Sequence, residues 1–254
     1  YDNLNLAYYK ACKGKRAKKE VFEYAKNLKK NIKLMQYQIL TGEIDIGNYH
    51  YFTIRDPKVR QICAASFSER VLHHAIMNIC HPVFERTFIY DTYATRLNKG
   101  IYAAITKACK AIKKYPVVAK LDVRKYFDSI NHSILKQNLR RLFKDKPLLK
   151  LFDLRIDSYN VKEDCDIPIG NLTSQYFANF YLSCADHYAK EKLKVPVYLR
   201  YMDDILLFDT EKQVLKEKTD SLEQFISEKL KLSVKPKICR QSIQGISYLG
   251  YSLY

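Results

Sequence analysis

Short apolar runs separated by polar turns predict β-strands in the last third of the chain. Residues 195–199 and 205–208 are two such runs, and Asp203 and Asp204 lie between them. This arrangement is typical of a β-hairpin that carries both aspartates at its turn. A further pair of strands is predicted within residues 238–253.

Another aspartate follows an apolar run farther upstream. Residues 117–121 predict a buried strand, which would present Asp122 at its carboxyl end. Two short strands are also predicted between residues 51 and 62, joined at Asp56-Pro57.

Apolar residues at three- and four-residue spacing predict helices elsewhere. Residues 1–40 have a basic, helical pattern, and Ser68 is predicted to cap a helix that Pro82 ends or interrupts. Further helices are predicted at about 101–114, 132–144, 172–192 and 211–232. Helices mixed with an antiparallel hairpin indicate an α+β fold.

The charge of the chain narrows the choice of partner. The 254 residues include 44 Lys and Arg against 27 Asp and Glu, a net charge of +17. Such an excess favours a polyanion, because phosphate backbones are bound mainly by neutralising Lys and Arg. No segment has the roughly 18 uninterrupted apolar residues of a membrane span, so no membrane partner is expected.

The cysteines and histidines do not predict a metal site. The seven cysteines include no pair at C-x-x-C spacing and are odd in number, which favours buried reduced thiols over disulfides or zinc. His73, His74 and His132 lack further ligands at suitable spacing, so packed or surface histidines are expected.

The aspartates have two interpretations. Asp203 and Asp204 alone are typical of residues that cap a turn. If the fold brings Asp122 beside them, the three carboxylates instead predict a site for two Mg²⁺ ions, which prefer oxygen ligands. Two such ions, about 3.5–4 Å apart, clamp the attacking and leaving oxygens of a phosphoryl transfer. The pattern itself does not show that the strands meet.

Motifs in order along most of the chain resemble those of reverse transcriptases. The segments concerned are the basic hairpin 55–62, the segment 88–100, the first catalytic motif 121–127, the helix motif 167–175, the second catalytic motif 201–204 and the primer-grip motif 248–251. Ile169, where many members have Gln, and Ser174-Gln175, where they have Ser-Pro, make the helix motif similar to that of diversity-generating retroelements. Enzymes of that subfamily copy a template RNA with errors at adenines.

The resemblance assigns roles to individual residues. It implies that Asp122, Asp203 and Asp204 are catalytic metal ligands, with the Val123 carbonyl as a further oxygen ligand for Mg²⁺ or Mn²⁺. The remaining residues that it implicates bind the nucleotide (Arg55, Arg60, Phe127, Ile169, Gly170 and Lys237), the primer (Tyr248, Leu249 and Gly250) or the template (Arg96 and Lys99). Phe127 would exclude ribonucleotides by a clash with the 2′-hydroxyl.

The resemblance also implies a right-hand polymerase fold. Fingers are expected at residues 1–110, with further finger elements at about 131–168, and a palm at 111–254 that ends at the primer grip. Most of a thumb is expected to be absent from this chain. The expected activity is error-prone, RNA-directed DNA synthesis. The expected location is the cytoplasm, for a protein encoded by a bacterium or a phage.

The expected partners are a template RNA, the RNA/DNA hybrid, dNTPs and an accessory protein. Two alternatives stay open: a phage-defence reverse transcriptase that makes non-templated or repetitive DNA, and a catalytically silent RNA-binding module. The intact aspartates argue against the second.

Overall fold

Helices and antiparallel strands are divided between two units of the chain. The computed structural model describes residues 1–55, 59–159 and 164–254. The first unit comprises Tyr1–Phe84 and His132–Phe177, and the second comprises Glu85–Asn131 and Ala178–Tyr254. The predicted division into fingers at 1–110, with further elements at about 131–168, and a palm at 111–254 stays a prediction.

In its described residues, the first unit is helical apart from one antiparallel hairpin. Its helices are α1 (Asp2–Cys12), α2 (Lys19–Lys26), α3 (Leu28–Thr41), α4 (Phe67–Thr87), α6 (His132–Leu142), α7 (Lys146–Asp157) and α8 (Leu172–Tyr181), of which α4 and α8 continue into the second unit. Its hairpin pairs β1 (Tyr49–Arg55) with β2 (Val59–Ala65). The predicted turn at Asp56-Pro57 lies outside the described residues.

The helix predicted after Ser68 differs from its prediction at both ends. The Ser66 hydroxyl accepts a hydrogen bond from the Glu69 N–H at 3.2 Å, so Ser66 and not Ser68 caps α4. The helix also continues through Pro82 to Thr87. The missing proline N–H is tolerated because both sides of this turn are packed, with Cys80 and Phe84 fully buried.

A buried polar cluster joins helices of the first unit. Arg155 of α7 donates from Nε to His73 Nε2 at 3.0 Å, and the same Nε lies 3.7 Å from Glu69 Oε1. Its Nη1 donates to the hydroxyls of Tyr49 and Ser158. Burial lowers the pKa of His73 to about 4, with Glu69 opposing the shift and the Arg155 charge adding to it. His73 is therefore a neutral histidine of the core.

The second unit is built on an antiparallel sheet with strand order β4-β5-β3-β6. These strands are β3 (Val117–Asp122), β4 (Val197–Tyr201), β5 (Asp204–Asp209) and β6 (Ile238–Gln241). The pair predicted within 238–253 is rearranged, because β6 joins the sheet beside β3. A separate hairpin pairs β7 (Ile246–Tyr248) with β8 (Tyr251–Leu253).

Helix α5 (Ile101–Lys114) agrees with its predicted bounds and covers one face of this sheet. Its alanines, including Ala104, Ala108 and Ala111, pack in one buried cluster with Val118 of β3 and Phe208 of β5. Small side chains let the helix lie close to the strands, and this cluster also contains Tyr248 of β7, Leu199 and Leu206.

The long helix predicted at 172–192 is broken. Helix α8 ends at Tyr181, α9 (Ser183–His187) follows, and the π-helical turn Tyr188–Lys192 completes the segment. The Ser183 hydroxyl donates to the Phe180 carbonyl at 2.7 Å, a local bond that competes with regular helix geometry. Helix α10 (Lys212–Leu230) then packs against β3 and β5.

The cysteines at positions 12, 63, 80, 109, 165, 184 and 239 carry free thiols. Among the described helices, none is both long and apolar enough to cross a membrane.

Candidate active site

Asp122 and Asp204 lie directly opposite each other across β3 and β5. Opposed residues of an antiparallel pair point to the same face of the sheet, with Cβ atoms about 4.5–5.5 Å apart. Asp203 lies in the two-residue turn between β4 and β5, where Tyr201 pairs with Asp204. The fold therefore pairs the two strands that carry Asp122 and Asp204, which the sequence pattern alone did not show.

The three carboxylates influence one another. Burial raises the pKa of Asp203 to about 6, its own backbone N–H opposes the shift, and the charges of Asp204 and Asp122 add to it. Lys235 opposes the shift as well. A bound cation would stabilise this cluster, because its positive charge offsets the repulsion among the carboxylates.

Two lysines supply positive charge at these carboxylates. Lys235 Nζ donates to Asp122 Oδ1 at 2.7 Å, and the Lys235 N–H donates to the Asp122 carbonyl at 2.8 Å. Lys120 Nζ lies 3.1 Å from Asp204 Oδ1 and donates to the Ser247 carbonyl at 3.0 Å. Lys120 shares a sheet face with Asp122 because it lies two residues before it on β3.

The donor set fits divalent cations in its chemistry. Among the residues that the structure describes, no three His, Cys, Asp or Glu side chains are grouped tightly enough to hold a metal ion. Asp204 Oδ1 is nevertheless buried and accepts no hydrogen bond, despite its ion pair with Lys120. An unsatisfied carboxylate oxygen among three acids is a suitable ligand for Mg²⁺.

Val123, predicted to offer its carbonyl, continues β3 by a bridge to Val234. The flanking bonds run from the Arg124 N–H to the Ser233 carbonyl at 2.7 Å and from the Lys235 N–H to the Asp122 carbonyl. These bonds fix the backbone at the carboxyl end of β3, and they place Lys235 beside Asp122.

Phe127 begins a short 3₁₀ turn, Phe127–Ser129, a few residues after the end of β3. Its ring is partly exposed and makes an edge contact with the ring of Tyr126, at a centroid distance of 5.8 Å. Tyr126 is the buried member of the pair, and its hydroxyl donates to the Ala178 carbonyl. Phe127 is therefore available at the surface of the second unit.

The predicted nucleotide contacts Arg55, Arg60, Ile169 and Gly170 belong to the first unit. Arg55 and Arg60 are exposed on β1 and β2. The Ile169 carbonyl accepts from the Cys63 N–H at 2.9 Å, which attaches the loop before α8 to β2.

Gly170 is the position in this loop where only glycine fits. It has a φ of 110°, and a Cβ there would lie 2.7 Å from Ile62 Cγ2. Both the left-handed backbone and the close approach of β2 therefore exclude a side chain.

Lys237 is directed away from the carboxylates of the sheet. Its Nζ forms ion pairs with Asp220 and Glu223 of α10. Burial lowers the pKa of Lys237, but these two carboxylates outweigh burial and raise it. The lysine that reaches Asp122 is Lys235, two residues earlier.

The predicted primer-grip residues form the turn of the β7–β8 hairpin. Tyr248 is buried, while Leu249 and Gly250 have φ values of 51° and 85°. Burial raises the pKa of the Tyr248 hydroxyl, and the Asp204 charge adds to the shift. The Lys120 bond to Ser247 connects this hairpin to β3.

The predicted template contacts Arg96 and Lys99 are engaged within the protein. Arg96 Nη1 donates to the Ile89 carbonyl at 2.6 Å and to the Thr92 hydroxyl at 2.8 Å. Lys99 Nζ donates to the Tyr90 carbonyl at 2.9 Å and lies 3.5 Å from the centre of the Tyr90 ring. Their contact with a template stays a prediction.

Lys120, Lys235 and Arg200 are the site residues that sequence reasoning missed. Lys120 was signalled by its i, i+2 spacing from Asp122, which places both on one strand face. Arg200 was signalled as a charge inside an otherwise apolar strand. Lys235 gave no comparable signal, because its contact depends on the path of the chain after α10.

Residues 54–253 match the family model described as reverse transcriptase (RNA-dependent DNA polymerase). The chain belongs to the reverse transcriptase family. Curated relatives are distant. Protein YkfC of Escherichia coli (strain K12) is 22% identical over 177 residues, which are 62% of this chain and 46% of that protein. The putative COX1/OXI3 intron 2 protein of Saccharomyces cerevisiae is 23% identical over 170 residues, 61% of this chain and 20% of that protein.

Solved structures confirm the α+β right-hand polymerase fold of this reverse transcriptase family member. Apo telomerase from Candida tropicalis has a TM-score of 0.60 at 12% identity, covering 81% of this chain and 47% of that one. Telomerase from Candida albicans, solved with a fragment of telomeric RNA, has a TM-score of 0.58 at 11% identity over 87% and 49% of the two chains. This chain spans less than half the length of each of these relatives.

Proposed function

We propose that this chain is the catalytic region of an RNA-directed DNA polymerase. The observation that carries the proposal is the direct opposition of Asp122 and Asp204, with Asp203 in the adjoining turn, inside the region that matches the family. In the proposed reaction the primer 3′-hydroxyl loses its proton to water, and its oxygen bonds to the α-phosphorus of a dNTP. The bond from that phosphorus to the pyrophosphate oxygen breaks, and pyrophosphate leaves.

The aspartates and the Val123 carbonyl are the proposed ligands of two Mg²⁺ ions, or of Mn²⁺ in their place. When bound, such ions supply positive charge at the attacking and leaving oxygens. Asp204 Oδ1 is a proposed ligand because it is buried with no hydrogen bond, and the cation would share it with the Lys120 ammonium 3.1 Å away. Lys120 and Lys235 keep Asp204 and Asp122 partly neutralised, which limits repulsion among the acids before any cation binds.

The other predicted residues have proposed roles in substrate binding. Arg55 and Arg60 bind the triphosphate, since guanidinium groups pair with phosphate oxygens in a bidentate manner. The backbone at Ile169 and Gly170 borders the incoming nucleotide, and Phe127 excludes a ribose 2′-hydroxyl. The hairpin turn Tyr248, Leu249 and Gly250 holds the primer end.

To bind a template, Arg96 would have to release its contact with Glu85, and Lys99 would have to release its contact with Tyr90. The leaving-group role predicted for Lys237 requires it to leave Asp220 and Glu223. Lys235, already at Asp122, is the better candidate for a charge beside the reacting phosphates.

We further propose that the chain belongs to the retroelement subfamily that copies RNA with errors at adenines. Ile169 and the pair Ser174-Gln175 support this assignment. An aliphatic side chain in place of an amide removes a hydrogen-bonding group near the nucleotide, which loosens discrimination among bases. A structured template RNA, an RNA/DNA hybrid, dNTPs, a basic accessory protein and a cytoplasmic location are part of the same proposal.

Primer extension on a supplied RNA tests the proposal. Wild type should extend a DNA primer in Mg²⁺, whereas Asp203→Ala and Asp204→Ala should lose at least 100-fold of the rate, a typical effect of removing transition-state charge stabilisation. Asp209→Ala is the control, because Asp209 lies on the same strand β5 but pairs with Lys218. Incorporation that survives both active-site substitutions would end the polymerase proposal.

The sequence of the product separates the alternatives. Misincorporation concentrated opposite template adenines supports the retroelement assignment. A homopolymeric or repetitive product without a template supports the phage-defence enzyme. Tight RNA binding by wild type without any extension supports the silent RNA-binding module.

A further inference from the structure

Arg200 is a fully buried arginine next to the catalytic turn. Its relative exposure is 0%, and it lies on β4, two residues before Met202. A guanidinium has five N–H donors, and here each has an acceptor. The acceptors are Asp186 Oδ1 and Oδ2, both at 2.6 Å, Asn179 Oδ1 and the Asn179 carbonyl, both at 2.9 Å, and the Met202 carbonyl at 3.0 Å.

The bond to Met202 acts on the catalytic turn. The Met202 carbonyl and the Asp203 N–H belong to the same planar peptide unit. The direction of this carbonyl therefore sets the orientation of the Asp203 backbone. Met202 has a φ of 53°, which a non-glycine residue adopts only when its surroundings hold it there. The Arg200 Nη1 that donates to this carbonyl is one of the groups that hold it.

The other contacts of Arg200 attach it to rigid parts of the second unit. Asp186 of α9 also accepts from the Tyr198 hydroxyl at 2.8 Å, and Asn179 of α8 donates to the Ala94 carbonyl at 2.8 Å. The guanidinium therefore connects the turn to two helices and to the segment around Ala94.

The Arg200 backbone is fixed as well. Its N–H donates to the Asp91 carbonyl at 3.0 Å, and its carbonyl accepts from the Tyr93 N–H at 2.9 Å. These bonds cover the free edge of β4 and leave the guanidinium little freedom to follow a displaced turn.

The stability of the fold is by itself a weak reason for the buried ion pair between Arg200 and Asp186. Removing two charges from water is costly, and a buried ion pair is often replaceable by apolar residues without loss of stability. All five donors of Arg200 are engaged, and one of them holds the catalytic turn. A role in fixing the geometry of that turn explains this arrangement better. Lysine cannot replace Arg200, because one ammonium cannot reach Asp186, Asn179 and Met202 together.

We propose that Arg200 is a positioning residue that fixes the Met202–Asp203 peptide and thereby the direction of the catalytic carboxylates. This inference rests on the proposed polymerase function. Arg200 touches no substrate, and it acts through the turn. Partners of this kind, behind a metal-binding residue, typically change metal affinity or activity by about 10–100-fold.

Arg200→Lys tests the proposal because it keeps a positive charge beside Asp186 and removes the fork. The expected result is a folded protein whose incorporation rate at saturating dNTP falls about 30-fold and whose half-saturating Mg²⁺ concentration rises about tenfold, within the range for such partners. The KM for dNTP and the Kd for primer–template should stay within about threefold, because neither ligand touches Arg200. The rate is measured per active site, from the burst amplitude, below the melting temperature.

Tyr181→Phe is the matched control for stability. Tyr181 is fully buried in the same unit, and its hydroxyl donates to the Leu230 carbonyl of α10 at 2.7 Å. It should lower the melting temperature while changing the rate and the Mg²⁺ dependence less than twofold. The double variant Arg200→Met/Asp186→Leu removes both buried charges together, and it should fold yet show the same rate loss as Arg200→Lys.

The outcomes separate this inference from the proposed function. Wild type that fails to extend a primer overturns the proposed function itself. Active wild type, with a folded Arg200→Lys or double variant of unchanged rate and Mg²⁺ dependence, overturns only the positioning role. A rate loss that Tyr181→Phe reproduces at equal melting temperature also overturns it, since stability would then explain the effect.

Discussion

Lys120 joins Asp204 to the predicted primer-grip hairpin: its Nζ lies 3.1 Å from Asp204 Oδ1 and donates to the Ser247 carbonyl. Lys120→Met removes both contacts while keeping the apolar stem. We expect the extension rate to fall about tenfold and the KM for the primer to rise, because Asp204 loses its counter-charge and β7 loses an anchor. Lys113→Met, on the exposed face of α5, is the control in a steady-state primer titration.

Lys235 and Lys237 should differ sharply when each is replaced by methionine. Lys235 pairs with Asp122, whereas Lys237 pairs with Asp220 and Glu223 of α10. Single-turnover incorporation should fall at least tenfold in Lys235→Met and less than twofold in Lys237→Met, because only the first lysine places its charge at a catalytic carboxylate. The reverse order would restore the role predicted for Lys237.

Gly170→Ala should destabilise the first unit. The new Cβ would lie 2.7 Å from Ile62 Cγ2 in a left-handed backbone, so strain and overpacking together should cost about 2–4 kcal/mol of unfolding free energy. Gly14→Ala is the control, because Gly14 also has a positive φ but nothing within 4 Å of its Cβ. Urea titration should show the larger loss for Gly170→Ala and partial recovery in Ile62→Ala/Gly170→Ala. Equal losses for both glycines would contradict the close contact.

His73 should lower the stability of wild type as the pH drops from 7 to 5. Burial lowers the pKa of His73 to about 4, below the ordinary value of 6.5, so in this window the unfolded chain binds a proton that the folded chain does not. The folded state should lose about 2 kcal/mol through this histidine.

His73→Gln should remove that part of the pH dependence, measured by urea unfolding followed with circular dichroism at pH 7 and pH 5. The exposed His50, replaced by glutamine, should leave the dependence unchanged. An unchanged slope in His73→Gln would show that His73 binds protons equally in the folded and unfolded states, which would contradict its lowered pKa.

The parts of this protein that the sequence predicted well are those set by local pattern. The run 117–121 predicted β3 because buried strands are continuously apolar, and the spacing of apolar residues predicted α5 at 101–114. The opposition of Asp122 and Asp204 followed from no local pattern, because it depends on how β3 and β5 pair across 81 residues of chain.

Tertiary packing explains what the sequence did not predict. Pro82 is exposed, and α4 continues through it with Cys80 and Phe84 fully buried on either side. Helix α7 has no counterpart among the predicted elements. The partners of Arg200 come from α8 and α9, so its charge in an apolar strand had no visible explanation in sequence. The helix predicted at 211–232 is α10, but the sequence did not show that its Asp220 and Glu223 pair with Lys237.

The most direct test of the central claim measures cation binding, without catalysis. Titration of Mn²⁺, followed by electron paramagnetic resonance, should show binding to wild type that weakens at least tenfold in Asp122→Asn, Asp203→Asn and Asp204→Asn, and stays unchanged in Asp209→Asn. That result is expected if the three carboxylates form one cation site. Binding by Asp122→Asn and Asp204→Asn as tight as in wild type would contradict it.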